Sequence, residues 1–361
     1  MGVYIFLLIF VYLTYFITHN NYNSGEKANK IFLIFSFAAI FLLCALRDYT
    51  VGRDIPGYID VYELSSENKL WDASWVYMEA GYVAYMKLLS MAGLSSRLFL
   101  AVTYMLMLVP IFYTIKKYSQ DPLLSVIIFI CFQFLAFDLS GIRQGMATSI
   151  CLCGMPWVLS KKKKDIIKFT LLVVLAFLFH KSSLIFLLVP ILVRIKFNIR
   201  TILLMLIGVA VSPFLTEYVM SINIDNNLSK YEMDNNLKMF GMIVFLVMVV
   251  LFMLLSCVQY KRRESKTDYA TTTITVEQYT MLLIMSLIVS LAFNGTMLSR
   301  SSMFYTIFMM LGIPNAISRY IGSQKTFFRV GFHLFMLVFF YIFCLEPKVL
   351  DIVPYEFGHD F

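Results

Sequence analysis

The side chains able to do chemistry are confined to a few short polar stretches in an oily chain: "RDYTVGRDIPGYIDVYE" (Arg47–Glu63), Glu79, "FDLSGIRQGM" (Phe137–Met146), "FHKSS" (Phe179–Ser183) and "SRSS" (Ser299–Ser302). Three of these stretches put a cation at the start of a predicted helix. Ser140 or Asp138 is placed to cap a helix opening at Ile142, Ser182 one opening at Leu184, and Ser299 one opening near Arg300. A helix N-terminus carries partial positive charge and favours acids, yet these three carry Arg143, Lys181 and Arg300. A bound anion resolves the conflict, because N-terminal N–H groups and guanidinium forks both suit phosphate oxygens. The alternative is three separate side chains snorkelling to lipid headgroups; three together, beside a His–Lys pair, favour the anion. In the first stretch Gly52, Pro56 and Gly57 mark a tight turn framed by Arg47–Asp48 and Arg53–Asp54. Either these are solvated ion pairs, or an arginine grips an anionic group while an acid orients it or accepts a proton.

The elements that must position these residues are membrane helices. Apolar residues make up 60% of the 361 positions and charged residues 14%, and apolar runs of about 15 to 20 residues recur along the chain. We therefore expect an all-α polytopic integral membrane protein, one transmembrane domain over residues 1–361. Its candidate spans are 3–18, 31–46, 98–115, 123–137, 142–159, 166–179, 184–195, 202–220, 240–258, 279–293, 303–317 and 328–345, about twelve in all. The segment Met1–Ile17 lacks a basic start and a small-residue cleavage site, which predicts a retained first helix. The six cysteines fall inside apolar runs and read as buried thiols, with neither a disulfide set nor a metal site.

The net charge of +8 does not point to nucleic acid, because the basic residues cluster in alternate connections: Lys27/Lys30, Lys116/Lys117, Lys161–Lys164, Arg194/Lys196/Arg200, Lys261–Lys266 and Arg319–Arg329. That is the positive-inside pattern, and it puts both termini outside. Nearly every unusual polar residue then lies on the extracytoplasmic face. The loops there include 47–97, with a short helix at Glu79–Met91 lying at or dipping into the interface, and 221–238. Between the basic clusters at Lys164 and Arg194, each limb of a hairpin has about 14 residues, or about 21 Å of helix against a hydrocarbon core of about 30 Å. His180 and Lys181 at its turn are expected below the outer boundary, lining a re-entrant polar cavity, unless the bilayer thins locally. Pro122–Phe137 gives about 24 Å, which brings Asp138 and Arg143 towards the same cavity. Trp71 and Trp75 read as interfacial belt residues before sugar platforms.

The stretches "RDYTVGRDIPGYIDVYE", "YMEAGYVAYMKLL", "GIRQGMATSI", "FHKSSLIFLLVP" and "SRSSMFY", in this order and spacing, resemble the EpsG-like family of oligosaccharide-repeat-unit polymerases, the O-antigen or capsule polymerases of the Wzy type. The resemblance runs from about Arg47 to Tyr305; the segment 221–238 matches nothing in it. It implies a fold similar to the C-type membrane glycosyltransferases and a metal-independent enzyme without cofactor at the outer face of the cytoplasmic (inner) membrane. It also implies undecaprenyl-diphosphate-linked substrates in membrane lipid, with a flippase and a chain-length regulator as partners. A hydroxyl of the acceptor would attack the anomeric carbon of the donor and expel the lipid diphosphate.

That chemistry fits the residues. Cations in a low-dielectric pocket stabilise a departing diphosphate, a role for Arg143 first, then Arg53, Arg300, Lys181 and Arg47. The hydroxyl needs a base, for which His180, Asp54, Asp138 and Glu79 are available. His180 leads, because imidazole titrates near neutrality, although a structural histidine bonded across a helix pair fits as well. Gln144, Asp48 and Tyr58 are candidates to bond sugar hydroxyls. His19, His333 and His359 are poorer candidates, the last in a tail expected to be mobile. Rival functions are a lipid-linked-sugar flippase or proton-coupled carrier, a membrane O-acyltransferase and a polysaccharide ligase. A carrier predicts midplane charges and two related halves, neither of which the sequence displays, whereas the ligase shares most of the chemistry.

Overall fold

The computed structural model describes residues 1–22, 25–66, 78–160, 162–221, 236–261, 274–293, 297–345 and 350–358. Trp71, Trp75, His359 and most of the loop 221–238 lie outside them. Among the described residues the regular structure is helical: α1 (Gly2–Asn21), α2 (Glu26–Ala45), α3 (Ile55–Ser66), α4 (Ala80–Met91), α5 (Ser96–Tyr118), α6 (Pro122–Cys131), α7 (Phe134–Asp138), α8 (Ile142–Cys153) and α9 (Met155–Val158) come first. Then follow α10 (Lys163–Phe177), α11 (Val189–Leu192), α12 (Ile199–Ser221), α13 (Asn236–Lys261), α14 (Val276–Ala292), α15 (Met303–Thr306), α16 (Met309–Ser318) and α17 (Gly322–Phe343). Among the described residues, five helices are long and apolar enough to cross a bilayer: α1, α2, α5, the Gly241–Gln259 part of α13, and α17. The protein is a multi-pass, all-α membrane protein.

The lipid-facing character is written on single helices. In α1, Tyr4, Leu7, Leu8 and Val11 are buried while Ile5, Phe6, Ile9, Leu13, Phe16 and Ile17 are exposed. Water would not tolerate so many exposed apolar side chains, but hydrocarbon does. Local signals start several helices as the sequence demands. Asp121 accepts from the Leu124 N–H with Pro122 in the first turn of α6, and Thr275 and Gln278 form a reciprocal capping box on α14.

The chain divides into two compact units. Unit 1 comprises Met1–Met155, Lys168–Leu184 and Val330–Phe361; unit 2 comprises Pro156–Ile167 and Ile185–Arg329. In unit 1, α1 packs on α2, α2 on α5, α5 on α8, and α3 on α4. In unit 2, α14 is central, packed against α12, α13 and α16.

Several expectations about helix starts are corrected. The run 123–137 is not one helix: it breaks between α6 and α7 at Gln133, whose φ of 55° is left-handed. Helix α8 does open at Ile142, but its N-cap is Gly141 with no side-chain cap, and the Ser140 hydroxyl instead accepts from the Asp54 N–H at 3.3 Å. Leu184 lies inside a 3₁₀ helix spanning Lys181–Leu188, and Arg300 in another spanning Met297–Ser302. The helix-dipole argument therefore applies to Arg143 alone of the three cations, because only it sits in the first turn of an α-helix of useful length.

Candidate active site

The site forms where α4, α8 and the chain following α10 meet in unit 1. The joint between α4 and α10 is a backbone one. The Gly81 and Tyr82 N–H groups of the first turn of α4 both donate to the Leu178 carbonyl just beyond α10, at 2.9 and 3.2 Å. These orphan helix donors are satisfied by another element instead of by a cap. Position 81 must be glycine for this approach, since a Cβ there would meet Leu178 Cβ and its carbonyl oxygen. Two residues before Gly81 and two after Leu178, the docking brings Glu79 to His180.

Glu79 is the N-cap of α4, yet its carboxylate makes no cap bond to its own helix. It turns outward to three partners. Oε2 accepts from Arg143 Nη1 at 2.5 Å, Oε1 accepts from the Lys181 N–H at 3.3 Å, and Oε1 lies 3.4 Å from His180 Nδ1. The Glu79 side chain is 9% exposed, Arg143 21% and His180 25%. Burial penalises the Glu79 charge, but the bond to His180 and the Arg143 charge outweigh it and hold the carboxyl at about 2. Arg143 is gripped on its other side by Tyr58 of α3, whose hydroxyl accepts from Nε at 3.2 Å beneath a guanidinium 5.7 Å from the ring. The Tyr58 ring packs edge-on to the fully buried Tyr82.

A carboxylate facing Nδ1 of a histidine favours the tautomer with its proton on Nδ1, which leaves Nε2 as the basic nitrogen. A cation joined to the same carboxylate, with its guanidinium partly exposed, stands ready for an anion. Among the described residues no group of three or more His, Cys, Asp or Glu side chains is arranged to hold a metal ion.

The other expected site residues fall into place around this core or away from it. Arg47 is fully buried, contrary to an anion-gripping role: Nη1 donates to the Leu139 carbonyl and Nη2 to the Tyr104 hydroxyl, with the guanidinium stacked on the Tyr104 ring. Tyr104 in turn donates to the Asp138 carbonyl at 2.9 Å. The Asp138 side chain is buried against α8, close enough that a Cβ on Gly145 would strike its Oδ1. Arg53 is exposed and paired with Asp351 at 2.9 Å. Asp48 spends Oδ1 on the Thr50 N–H and hydroxyl, closing its own turn instead of offering it to a sugar. Tyr58 is buried and committed to Arg143, and Gln144 is buried within α8. Asp54 opens α3 one turn before Tyr58, with its carbonyl accepting from the Tyr58 N–H. Arg300 belongs to unit 2. Tyr104, Leu178 and Asp351 escaped the sequence reading, because nothing in their local pattern distinguishes them from any tyrosine, leucine or tail acid in such a chain.

A family model for EpsG matches residues 30–357. The chain belongs to the EpsG family. No curated protein and no solved structure matches it. Membership gives this EpsG-family protein a broad role as a polymerase-type membrane protein of polysaccharide biosynthesis. The match spans every contact described at the site, from Arg47 to Asp351.

Proposed function

We propose that this EpsG-family protein polymerises undecaprenyl-diphosphate-linked oligosaccharide repeat units into an O-antigen or capsule-type polysaccharide at the outer face of the cytoplasmic membrane. The observation that carries the reading is Glu79, one carboxylate joined to both Arg143 and His180. In this reading His180 Nε2 takes the proton from an acceptor hydroxyl as its oxygen bonds to the donor's anomeric carbon. The bond from that carbon to the diphosphate breaks with its electron pair, and the departing charge is met by Arg143, with Lys181 beside it. Glu79 holds the imidazole and the guanidinium in register, and Tyr58 fixes the plane of the guanidinium. Asp54 and Asp138 are reserve acids, and Arg53 and Arg300 outlying cations.

The wider architecture in this reading is about twelve crossings arranged like the C-type membrane glycosyltransferases, with a flippase and a chain-length regulator as partners and no metal or other cofactor. The test is turnover of purified lipid-linked repeat units by the full chain in lipid nanodiscs. Arg143→Ala should abolish polymer while the protein still inserts and folds; normal-length polymer from that variant would sink the reading. A ligase would transfer preformed chains to a second acceptor and leave single repeat units unpolymerised.

A further inference from the structure

The C-terminal segment 350–358 is bonded along its length to the first polar loop and to the helices beside it. The Arg53 and Gly52 N–H groups donate to the carbonyls of Leu350 and Asp351 at 2.9 and 2.8 Å, and the Asp48 N–H to that of Glu356 at 2.8 Å. The Gly358 N–H donates to the Leu46 carbonyl at 3.0 Å, and Arg47 bridges Phe357. Side chains add to this: Arg53 pairs with Asp351, the Tyr355 hydroxyl donates to the Leu43 carbonyl, and the Tyr4 hydroxyl to that of Ile352, each at 2.8 or 2.9 Å. Ile352 and Tyr355 are buried. Leu350 and Asp351 hold φ values of 62° and 51°, a conformation non-glycine residues adopt only where their surroundings impose it.

The loop thus gripped is pressed on its other side against the start of α8. Gly52, at φ 105°, lies so near the Leu139 carbonyl that a Cβ there would collide with it. Arg47 binds that same carbonyl, and Asp54 N–H binds Ser140. From Asp54 the chain enters α3 and delivers Tyr58 to Arg143. Segment 350–358, loop 47–54 and residues 139–143 form three stacked layers of backbone.

We propose that residues 350–358 are a strap that positions Arg143, with Asp351 as its positioning residue. The strap fixes the loop, the loop fixes both Tyr58 and the first turn of α8, and Arg143 is thereby set for an anion. The inference rests on the reading of Arg143 as the anion-binding residue. The exposed Arg53–Asp351 pair contributes little by itself; the backbone bonds carry the effect, so the disrupting change must act on the backbone.

The experiment measures inorganic pyrophosphate binding to the full chain in nanodiscs by calorimetry, together with kcat and KM for the lipid-linked substrate. The variants are Asp351→Pro, which cannot adopt φ 51°, and a chain ending at Val349, each also combined with Arg143→Ala. We expect pyrophosphate to bind about 10-fold more weakly to either strap variant, and kcat/KM to fall at least as far. Arg143→Ala should bind as weakly whether the strap is present or not, which is the non-additivity of coupled residues. If the shortened chain fails to insert, Asp351→Pro decides, with Asp351→Asn, which keeps the backbone conformation, as the variant that should retain more than half of parental binding. Unchanged pyrophosphate affinity in the strap variants, or losses that multiply with Arg143→Ala, overturns the strap. If Arg143→Ala itself binds pyrophosphate normally, the reading of the site fails first, and the two failures are distinguished.

Discussion

A carboxylate held at about 2 is a poor proton acceptor near neutral pH, which in the proposed reaction leaves the role of base to His180 and not to Glu79. Glu79 lies below its ordinary value, so its ion pairs contribute fully above the usual carboxylate range, weaken below about pH 4.5 and vanish as the pH falls through about 2. Loss of a general base costs about 10²- to 10⁴-fold, the drop expected for His180→Ala with purified lipid-linked substrate. Near-normal turnover in that variant removes His180 from the chemistry. Glu79→Gln keeps the shape but removes the charge, so it should lower kcat as the guanidinium and the imidazole lose their shared partner. An unchanged kcat in Glu79→Gln would remove Glu79 from the alignment of both groups.

At the scale of elements, the decisive joint is between α4 and the end of α10. Helix α4 is too short to cross a bilayer, and α3, which follows the first polar loop, packs against it. Their function is to carry Tyr58 and Glu79 to opposite sides of one guanidinium. Gly81→Ala puts a methyl group into Leu178, so either α4 lifts or the chain after α10 shifts. The expected result is a loss of about 1–3 kcal/mol in stability, read as a lowered Tm, and at least a tenfold loss of turnover as Glu79 leaves His180. Retained turnover at a lowered Tm would show the joint to be purely structural. The sequence marked α4 as a short helix and α8 as opening at Ile142, because an apolar run beginning after a polar junction is a local pattern. It did not reveal that Ser140 caps nothing in α8, because its hydroxyl is claimed by Asp54 86 residues away. Nor did it show that 181–188 winds as a 3₁₀ helix.

For the whole molecule, the start of α1, the loop 47–54 and the strap 350–358 meet at one end of unit 1. The basic loops predict that this end faces outward. A membrane-impermeant maleimide applied to intact spheroplasts should then label cysteines placed at Thr50 and Glu356, both exposed, but not one placed at Lys117, in a Cys153→Ser background. Labelling at Lys117 with silence at Thr50 would invert the topology and with it the side on which polymer is made.

Composition and hydropathy alone determined that this chain lives in a membrane, because burial in lipid demands long apolar stretches whatever they pack against. The order and spacing of the polar stretches carried the family. Sequence also narrowed the chemistry to a short set of residues, since an ionisable side chain in such a chain is costly unless used. Which of them touch was decided by tertiary structure. Arg143 and Glu79 are 64 residues apart, Lys181 and Glu79 102, and Arg53 and Asp351 298. Arg47 and Arg143 look alike in sequence, each an arginine at a helix junction beside a polar turn. One is fully buried and spends its guanidinium on a carbonyl and a hydroxyl, while the other is partly exposed and shares a carboxylate with a histidine. The physical reason is that helix pattern is set by neighbours three and four residues away, whereas the partner of a charge is set by how helices dock.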